Sequence, residues 1–407
     1  MIRITLLLLC IFVLKINCFT QYCTQDNRFT EVEYFSDSQI DSNLDVVYGN
    51  AVNYLGNTQD LKFDIYFPDS NSETLNQRPF ILLIHGGSFI GGDKSILQED
   101  CKQFAKRGFV AATMSYRLGF DANDPLGQLE AIYRAHQDAN AAMRFIVNAA
   151  DVYKIDTSWL FIGGGSAGSY TALNSAYVNQ TEWNGVYPTI STQLGGLNTS
   201  GNNLTNQYTF KGIYNNWGAV LMSAVQPSQM LPTISFHGLL DNTVPIGYSQ
   251  NGTVGGSAII NDALLQNNVC SELVVDSTGG HGIFNPGTVQ GKELRTGRAV
   301  CFYKSVFCNN CSSQYITEPL QANCSSPNSI EPILQNKIKV YPNPFQDKLI
   351  IEGLPSSYNL VLYNTIGSKI HQTNNINNLD LNHLEKGVYL LQVKSDNQFY
   401  TVKLIKE

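Results

Sequence analysis

The chain has 407 residues, of which 43% are hydrophobic and 14% are charged. This length and hydrophobic content predict one large packed domain with a small accessory module, and they exclude a largely disordered chain. The net charge of -7 is spread along the sequence without a basic cluster, which excludes nucleic acid as a partner.

The amino terminus has the layout of a secretory signal peptide. Arg3 precedes an apolar stretch over residues 4–14, and a short polar exit follows it. The stretch is too short to span a bilayer. We therefore predict that residues 1–20 are a signal peptide, cleaved after Thr20 or after Cys18. The mature protein is then secreted or attached to the outer membrane at the cell surface.

Two of the nine cysteines, Cys10 and Cys18, lie in the signal region, which leaves seven for the exported protein. Export favours disulfides, and an odd number leaves at least one thiol free or paired between chains. The connectivity stays open, because spacing does not determine it. Cys308 and Cys311 form a CxxC motif without a second pair or histidine ligands, so structural disulfides are expected rather than zinc. No metal and no other cofactor is expected.

Between residues 60 and 308, short apolar or β-branched runs alternate with longer helical stretches. This alternation predicts mostly parallel strands joined by crossover helices, hence a doubly wound α/β fold. We assign residues 21–308 to this domain. The predicted strands are 61–67, 80–85, 110–116, 159–162, 219–223, 233–237 and 272–276.

Two segments of this domain contain polar residues outside the motifs. In the amphipathic helix predicted over 128–150, His136 is expected at the surface or in packing, and Asp138 and Arg144 are expected to form ion pairs on the helix surface. The stretch 179–218 is long and rich in Asn, Gly and Thr. Long loops are often functional, so this one is predicted either to cover a substrate cleft or to be a surface excursion.

The composition changes after residue 308. Residues 309–336 are rich in Ser, Asn, Gln and Pro without periodicity, which predicts a linker. Residues 337–407 then alternate apolar and polar side chains with a period of two. That pattern predicts short antiparallel strands in a small β-sandwich.

A GxSxG motif centred on Ser166 lies in the sequence GGGSAGS at 163–169, between a predicted strand and a predicted helix. Such a turn holds the serine in a strained backbone conformation that exposes its hydroxyl, and the glycines permit close packing. The motif alone is a weak signal, since small residues also surround serines in ordinary turns. Ser166 is the candidate nucleophile.

The predicted strand 80–85 ends in the sequence HGG. In lipases and esterases a loop of this kind supplies amides for the oxyanion hole. We predict that Gly87 and Ser88 donate from this loop and that Ala167 donates from the position after the nucleophile. His85 is expected to anchor the loop rather than to act as the base.

An aspartate and a histidine follow the last two predicted strands. Asp241 lies in HGLLDNTVP, and His281 lies between glycines after the strand 272–276. A serine hydroxyl needs a base, and the base needs an orienting carboxylate. Ser166, Asp241 and His281 occur in the chain order of α/β-hydrolases, which predicts a catalytic triad.

Other residues near these motifs receive lesser roles. His237 is expected to brace the loop of Asp241. The carboxylates Asp262, Glu272 and Asp276 are expected to be surface charges. Apolar residues beside the motifs are predicted to form an acyl pocket, although each also fits a core position: Phe89, Ile90, Leu239, Leu240 and Phe284.

With these motifs, residues 60–308 resemble the α/β-hydrolase superfamily, in particular secreted carboxylesterases with an HGG oxyanion loop, including feruloyl and acetyl-xylan esterase-like members. The chain departs from that pattern at Ser88, where many relatives have Gly or Ala, and at Ser169, which replaces a final glycine. The resemblance implies hydrolysis of acyl esters, such as plant polysaccharide or hydroxycinnamate esters, through an acyl-enzyme. The alternatives are a polyester depolymerase, a peptidase of the prolyl-oligopeptidase type, and a binding protein without activity.

Residues 337–407 resemble the C-terminal sorting domain of the type IX secretion system of Bacteroidetes. The motifs that carry this resemblance are VYPNPF at 340–345, LYNTIG at 362–367, GVYLL at 387–391 and KLIK at 403–406. The resemblance implies that the secretion machinery is a partner. A carbohydrate-binding β-sandwich is the alternative.

Overall fold

A computed structural model describes residues 18–23, 27–249, 252–317, 324, 339–354, 357–364, 369–395 and 398–407. Residues 1–17 of the predicted signal peptide and most of the predicted linker lie outside the described residues. Within these ranges, no helix has both the length and the hydropathy needed to cross a bilayer.

A mixed sheet of nine strands forms the centre of the first unit. In chain order its strands are β1 Ile40–Val52, β2 Thr58–Pro68, β3 Arg78–Ile84, β4 Val110–Met114, β5 Ile155–Gly165, β6 Phe210–Asn216, β8 Thr233–Gly238, β10 Ser271–Asp276 and β11 Gln314–Thr317. Their spatial order is β1-β2-β4-β3-β5-β6-β8-β10-β11. β1 and β2 are antiparallel additions at one edge, and all neighbours from β4 to β11 run parallel.

Helices cover both faces of this sheet, because its central strands are apolar on both sides. Alternate residues of β3 enter two separate cores: Phe80, Leu82 and Ile84 face one, and Ile81 and Leu83 face the other. The predicted α/β class is therefore confirmed. The helices are α1 Gln98–Ala105, α2 Gly127–Asn148, α3 Ala150–Tyr153, α4 Ala167–Tyr177, α5 Gln180–Val186, α6 Ile190–Leu194, α7 Ser257–Gln266 and α8 Val289–Phe307. Residues of α2, α4 and α7 pack in the first core, and residues of α1 and α8 pack in the second.

One predicted strand of the sheet was wrong. The apolar run at 219–223 contains only the short strand β7, Ala219–Leu221, which pairs with β9, Val254–Gly256, outside the central sheet. The strand between β5 and β8 in the central sheet is β6, which lies within the stretch 179–218 that was assigned to a loop. The pattern concealed β6 because its last two residues, Asn215 and Asn216, are polar, yet both are buried and hydrogen-bonded.

The rest of the 179–218 stretch is fastened to α2. The Gln137 amide donates to the carbonyl of Leu194, and Arg144 donates to the carbonyl of Ser200. His136 is buried and accepts a hydrogen bond from the indole N–H of Trp183 at 3.0 Å. Burial lowers the pKa of His136 to about 3, so the ring stays neutral and serves packing.

Two residues of α2 differ from their predicted place on the helix surface. The Asp138 side chain is fully buried and makes a 2.7 Å ion pair with Arg117, which follows β4. Arg144 is also buried, and it binds the segment around Ser200 instead of a helical neighbour. The helical pattern could not show this, because both contacts join segments that are distant in sequence.

Three disulfides converge on the carboxyl end of this unit. They join Cys23 to Cys308, Cys270 to Cys311, and Cys301 to Cys324. The two cysteines of the CxxC motif are therefore structural, and each pairs with a distant partner. Among the cysteines whose side chains the structure describes, Cys101 is the one without a disulfide, and it is buried.

The predicted boundary at residue 308 is also too early. β11 pairs with β10 as an edge strand of the central sheet, and Cys324 is bonded to α8. Both lie within the segment assigned to a linker. Polar composition hid β11 because an edge strand has one open side and needs little apolar surface.

The second unit consists of two antiparallel sheets around its own core. One sheet has β12 Lys339–Tyr341, β13 Lys348–Glu352 and β16 Asn378–Asp380; the other has β14 Asn359–Asn364, β15 Lys369–Asn374, β17 Gly387–Ser395 and β18 Gln398–Lys406. Leu349, Leu362, Leu391 and Leu404 are fully buried in that core. This arrangement agrees with the predicted small β-sandwich.

Candidate active site

The loops that contain the predicted site residues leave the sheet at one edge. β3, β5, β8 and β10 run parallel and lead into the loops of Gly87, Ser166, Asp241 and His281. The carboxyl ends of parallel strands lie together, and such an edge is where open α/β sheets bind ligands. The fold therefore brings four separate sequence motifs to one place.

Ser166 occupies the sharp turn between β5 and α4. Its backbone has φ 53° and ψ -121°, a conformation that L-residues rarely adopt. The two motif glycines permit this turn to pack closely on the end of β3. A Cβ on Gly164 would lie 2.2 Å from the carbonyl oxygen of Ile84, and a Cβ on Gly168 would lie 1.9 Å from the same oxygen. Helix α4 thus packs directly on the end of β3.

We expect Gly168→Ala to lower the free energy of unfolding by about 3 kcal/mol, the upper end of the usual cost of overpacking, because the added methyl meets rigid backbone. Urea denaturation measures this change. Gly185→Ala is the matched control: Gly185 is also helical, and no atom lies within 4 Å of the added Cβ. The control should be neutral or slightly stabilising, and an equal loss in both variants would contradict the close-packing argument.

Asn216 and Ser169 fasten this turn to β6. The Asn216 carbonyl accepts the Ser166 N–H at 3.0 Å, and its side-chain amide donates to the Gly164 carbonyl at 2.9 Å. The Ser169 hydroxyl donates to the same carbonyl at 2.7 Å and accepts the Asn216 N–H at 2.9 Å. Ser169, the departure from the glycine of the resembling esterases, therefore adds hydrogen bonds that support the nucleophile turn.

Ser166, His281 and Asp241 form one chain of hydrogen bonds. Ser166 Oγ lies 2.8 Å from His281 Nε2, and His281 Nδ1 lies 2.8 Å from Asp241 Oδ2. A carboxylate can only accept, so His281 Nδ1 donates to it, and the other ring nitrogen is left to accept from the Ser166 hydroxyl. The His281 side chain is 26% exposed, so the site is open to solvent.

Asp241 is buried but has several donors. Its Oδ1 accepts the backbone N–H groups of Thr243 at 2.8 Å and Val244 at 2.9 Å. Burial raises the pKa of the Asp241 carboxyl, but hydrogen bonds from His237, His281 and the Val244 amide outweigh burial and hold that pKa well below its usual value. Asp241 is therefore ionised wherever the protein is folded near neutral pH.

The HGG loop turns back beside Ser166. Gly87 has φ 119°, and its carbonyl accepts the N–H groups of Ile90 and Gly91, which closes a tight turn. A Cβ on Gly86 would lie 3.2 Å from the Ser166 Cβ, so this backbone approaches the serine closely. Ser88 has φ 53°, although it is not a glycine.

Three backbone N–H groups, two in the HGG loop and one at the start of α4, have no acceptor among the described residues. No described residue accepts a hydrogen bond from the N–H of Gly87, Ser88 or Ala167. These are the three groups predicted to line an oxyanion hole. His85 is buried beneath the loop, with Nδ1 2.7 Å from the Gly86 carbonyl and its ring stacked on Tyr116.

Two residues that the sequence did not single out support the loop of His281. Trp217, directly after β6, lies with its ring centroid 6.3 Å from that of His281. The Arg295 guanidinium lies 5.4 Å from the Trp217 ring and donates to the carbonyls of Ile283 and Pro286. The only sequence signal for Trp217 was its aromatic side chain in the long stretch 179–218, and Arg295 in α8 gave none.

The predicted pocket residues divide into two groups. Phe89 is buried against the rings of Tyr116 and Tyr170, and Phe284 is partly buried beside the second core. Both therefore have packing roles. The others are exposed apolar side chains on the loops that contain the HGG motif and Asp241: Ile90, Leu239 and Leu240.

Of the competing carboxylates, Glu272 was placed wrongly. It is buried and forms an ion pair with Arg298, with a hydrogen bond of 2.7 Å between Oε2 and Nη2. Asp262 is exposed, and Asp276 is partly buried at the end of β10. Among the described residues, no group of three or more His, Cys, Asp or Glu side chains is arranged to hold a metal ion.

Two family models match the chain, one in each unit. The BD-FAE model matches residues 63–229, and the model described as a secretion system C-terminal sorting domain matches residues 339–407. The first match supports the esterase-like hydrolase prediction for the large unit. The second confirms the sorting-domain prediction and indicates secretion, with release or attachment at the cell surface.

Short stretches match two curated proteins. A methylphloroacetophenone synthase of Cladonia uncialis is 29% identical over 121 residues, which is 30% of this chain and 5% of that protein. The neuroligin-like protein glit-1 of Caenorhabditis elegans is 28% identical over 109 residues, which is 27% of this chain and 15% of that protein. The chain thus spans a small part of both relatives.

Solved esterase structures are also similar. Thermogutta terrifontis esterase 2 phosphorylated by paraoxon aligns with a TM-score of 0.49 and 20% identity over 69% of this chain and 98% of the esterase. A truncated carbohydrate esterase from gut microbiota aligns with a TM-score of 0.48 and 16% identity over 68% of this chain and 99% of its own. These TM-scores and identities are too low to indicate a shared activity.

Proposed function

We propose that this chain, which joins a BD-FAE α/β-hydrolase domain to a secretion-system C-terminal sorting domain, is an exported serine carboxylesterase. The observation that carries the proposal is the hydrogen-bonded chain from Ser166 through His281 to Asp241. A base and an orienting carboxylate are what a serine hydroxyl requires to become a nucleophile near neutral pH.

In the acylation step, Ser166 Oγ attacks the ester carbonyl carbon while its proton moves to His281 Nε2. Asp241 accepts the Nδ1–H bond and stabilises the charge that forms on the ring. The carbonyl oxygen becomes an oxyanion, which the N–H groups of Gly87, Ser88 and Ala167 bind. The C–O bond then breaks, and His281 returns the proton to the departing alcohol.

Deacylation repeats the same transfers with water. His281 Nε2 takes a proton from a water molecule while the oxygen of that water attacks the acyl carbon. The second tetrahedral intermediate collapses, the acid leaves, and Ser166 recovers its proton. The products are one alcohol and one carboxylic acid, and the acyl-enzyme is the covalent intermediate.

We assign acyl esters as the substrate class, with esters of plant polysaccharides and hydroxycinnamates as the members to test first. The open site and the exposed Ile90, Leu239 and Leu240 beside it support access by an acyl group carried on a larger molecule. Polyesters and small acyl esters remain the comparison substrates.

A hydrolysis panel tests this assignment. Purified protein is incubated with acetyl-xylan, methyl ferulate, tributyrin, a polyester and a peptide nitroanilide. We expect turnover of one or more esters and none of the nitroanilide. Cleavage of the nitroanilide with a kcat/KM equal to or above that for every ester would reject the esterase in favour of a peptidase.

We propose two export signals for this enzyme. Residues 1–20 direct the first membrane step, and residues 337–407 are read by the type IX secretion machinery, a partner that the sorting-domain match supports. We place the end of the catalytic unit at Cys324; the pairing of β11 with β10 and the disulfide from Cys324 to α8 support this boundary.

A further inference from the structure

A set of buried polar side chains lies beneath the loop of Asp241. Asn215, at the end of β6, accepts the Gly218 N–H with Oδ1 at 3.0 Å. A backbone N–H can only donate, so this contact fixes the orientation of the Asn215 amide. Its Nδ2 therefore donates to Ser235 Oγ at 3.1 Å and to Ser257 Oγ at 3.0 Å.

Ser257 is hydrogen-bonded to both Asn215 and His237 in this set. Ser257 Oγ lies 2.7 Å from His237 Nδ1, and His237 Nε2 lies 2.8 Å from the Val244 carbonyl oxygen. A carbonyl can only accept, so Nε2 carries a hydrogen. In the tautomer with its hydrogen on Nε2, Nδ1 accepts, so the Ser257 hydroxyl donates to Nδ1 while its oxygen accepts from Asn215. The Gly218 N–H at one end and the Val244 carbonyl at the other thus fix which group donates in each hydrogen bond.

The Nε2–H of His237 also faces the proposed triad. Asp241 Oδ2 lies 3.4 Å from His237 Nε2, and this is the same oxygen that accepts from His281. Val244 links the two contacts, because its N–H donates to Asp241 Oδ1 while its carbonyl accepts from His237. Rotation of the carboxylate would break bonds on both oxygens.

We propose that Asn215, Ser257 and His237 form a positioning relay that holds Asp241 in the orientation needed to accept the Nδ1–H of His281. The inference rests on the proposed function and adds three residues that do not touch the reacting atoms. Asn215, Ser257 and His237 are fully buried. Buried polar groups are costly unless paired, and here each relay contact has a defined donor and acceptor.

The relay also connects the two halves of the site. Asn215 is next to Asn216, whose carbonyl and side chain hold the turn of Ser166. Consecutive side chains of a strand point to opposite faces of the sheet. The end of β6 therefore fixes the nucleophile through one asparagine and the acid through the other.

A pair of serine variants tests the relay. Ser257→Ala and Ser235→Ala each remove one buried hydroxyl and one hydrogen bond from Asn215, but only Ser257 contacts His237. We expect Ser257→Ala to lower kcat for an ester roughly tenfold with KM unchanged, less than the ~100-fold loss that a misplacement of about 1 Å can cause. Ser235→Ala should stay near wild type. Equal losses in both variants would overturn the proposal.

Variants of His237 supply a rescue measurement. His237→Phe keeps a ring but has no N–H, so kcat should fall at least as far as in Ser257→Ala. His237→Gln places an amide N–H near the former Nε2 position and should recover most of that loss. If the two variants have the same kcat while both melt like wild type, His237 is only a packing residue.

Ring-nitrogen NMR of the histidine-labelled enzyme tests the relay without a substrate. The relay predicts that His237 carries its proton on Nε2 in the wild type and in Ser235→Ala. A proton on Nδ1 would overturn it. This readout separates the two proposals, because an enzyme without esterase activity can still show the predicted tautomer.

Discussion

Replacing Ser166 with alanine should lower kcat for a short-chain nitrophenyl ester by about a millionfold, as removal of the nucleophile does in serine hydrolases whose triad acts as a unit. The variant keeps His281 and Asp241 but has no oxygen to form the acyl-enzyme. Steady-state hydrolysis measures the loss. Covalent labelling by a fluorophosphonate should disappear in the same variant.

Ser175→Ala is a matched control for this experiment. Ser175 lies on the same helix, and its Oγ has no hydrogen-bond partner among the described residues. It should retain both turnover and labelling, and both variants should melt like the wild type. Appreciable hydrolysis by Ser166→Ala would show that another residue is the nucleophile.

Asp241→Asn should lower kcat by about ten-thousandfold, the loss that the same change causes in a Ser-His-Asp hydrolase. The reason lies in the donors around the carboxylate. Thr243 and Val244 present N–H groups to one oxygen, so the asparagine carbonyl must face them. Its NH₂ group then faces His281 and stabilises the tautomer with hydrogen on Nε2, which cannot accept the Ser166 proton.

The experiment measures kcat together with fluorophosphonate labelling, which should slow in parallel. Asp151→Asn removes an exposed carboxylate on α3 and serves as the neutral control. A loss smaller than about tenfold in Asp241→Asn would contradict the orienting role, because it corresponds to less than about a quarter of the activation free energy that a ten-thousandfold loss represents.

The site motifs could be predicted because each is a short sequence at the end of an apolar strand. GxSxG, HGG, the Asp241 loop and the His281 loop have local glycines and a fixed chain order. Those local patterns led to the residues that the structure brings together. Parallel-strand topology then accounts for their proximity, since loops from one edge of a sheet must meet.

The supporting residues could not be predicted, since their roles depend on contacts between distant segments. Arg295 acts on the His281 loop from the middle of α8, and Ser257 contacts His237 from the start of α7. Strand β6 was mistaken for a loop for a similar reason. Its buried Asn215 and Asn216 look like loop residues until their hydrogen-bond partners are known.

The disulfide between Cys301 and Cys324 determines which backbone cuts can release the sorting domain. Cys324 lies beyond the last strand of the sheet, yet it is covalently joined to α8. A protease that cuts between Cys301 and Cys324 leaves the two fragments attached through this disulfide, and they part only on reduction. Only a cut after Cys324 frees the enzyme, with Cys23 near its start and Cys324 near its end each held in a disulfide.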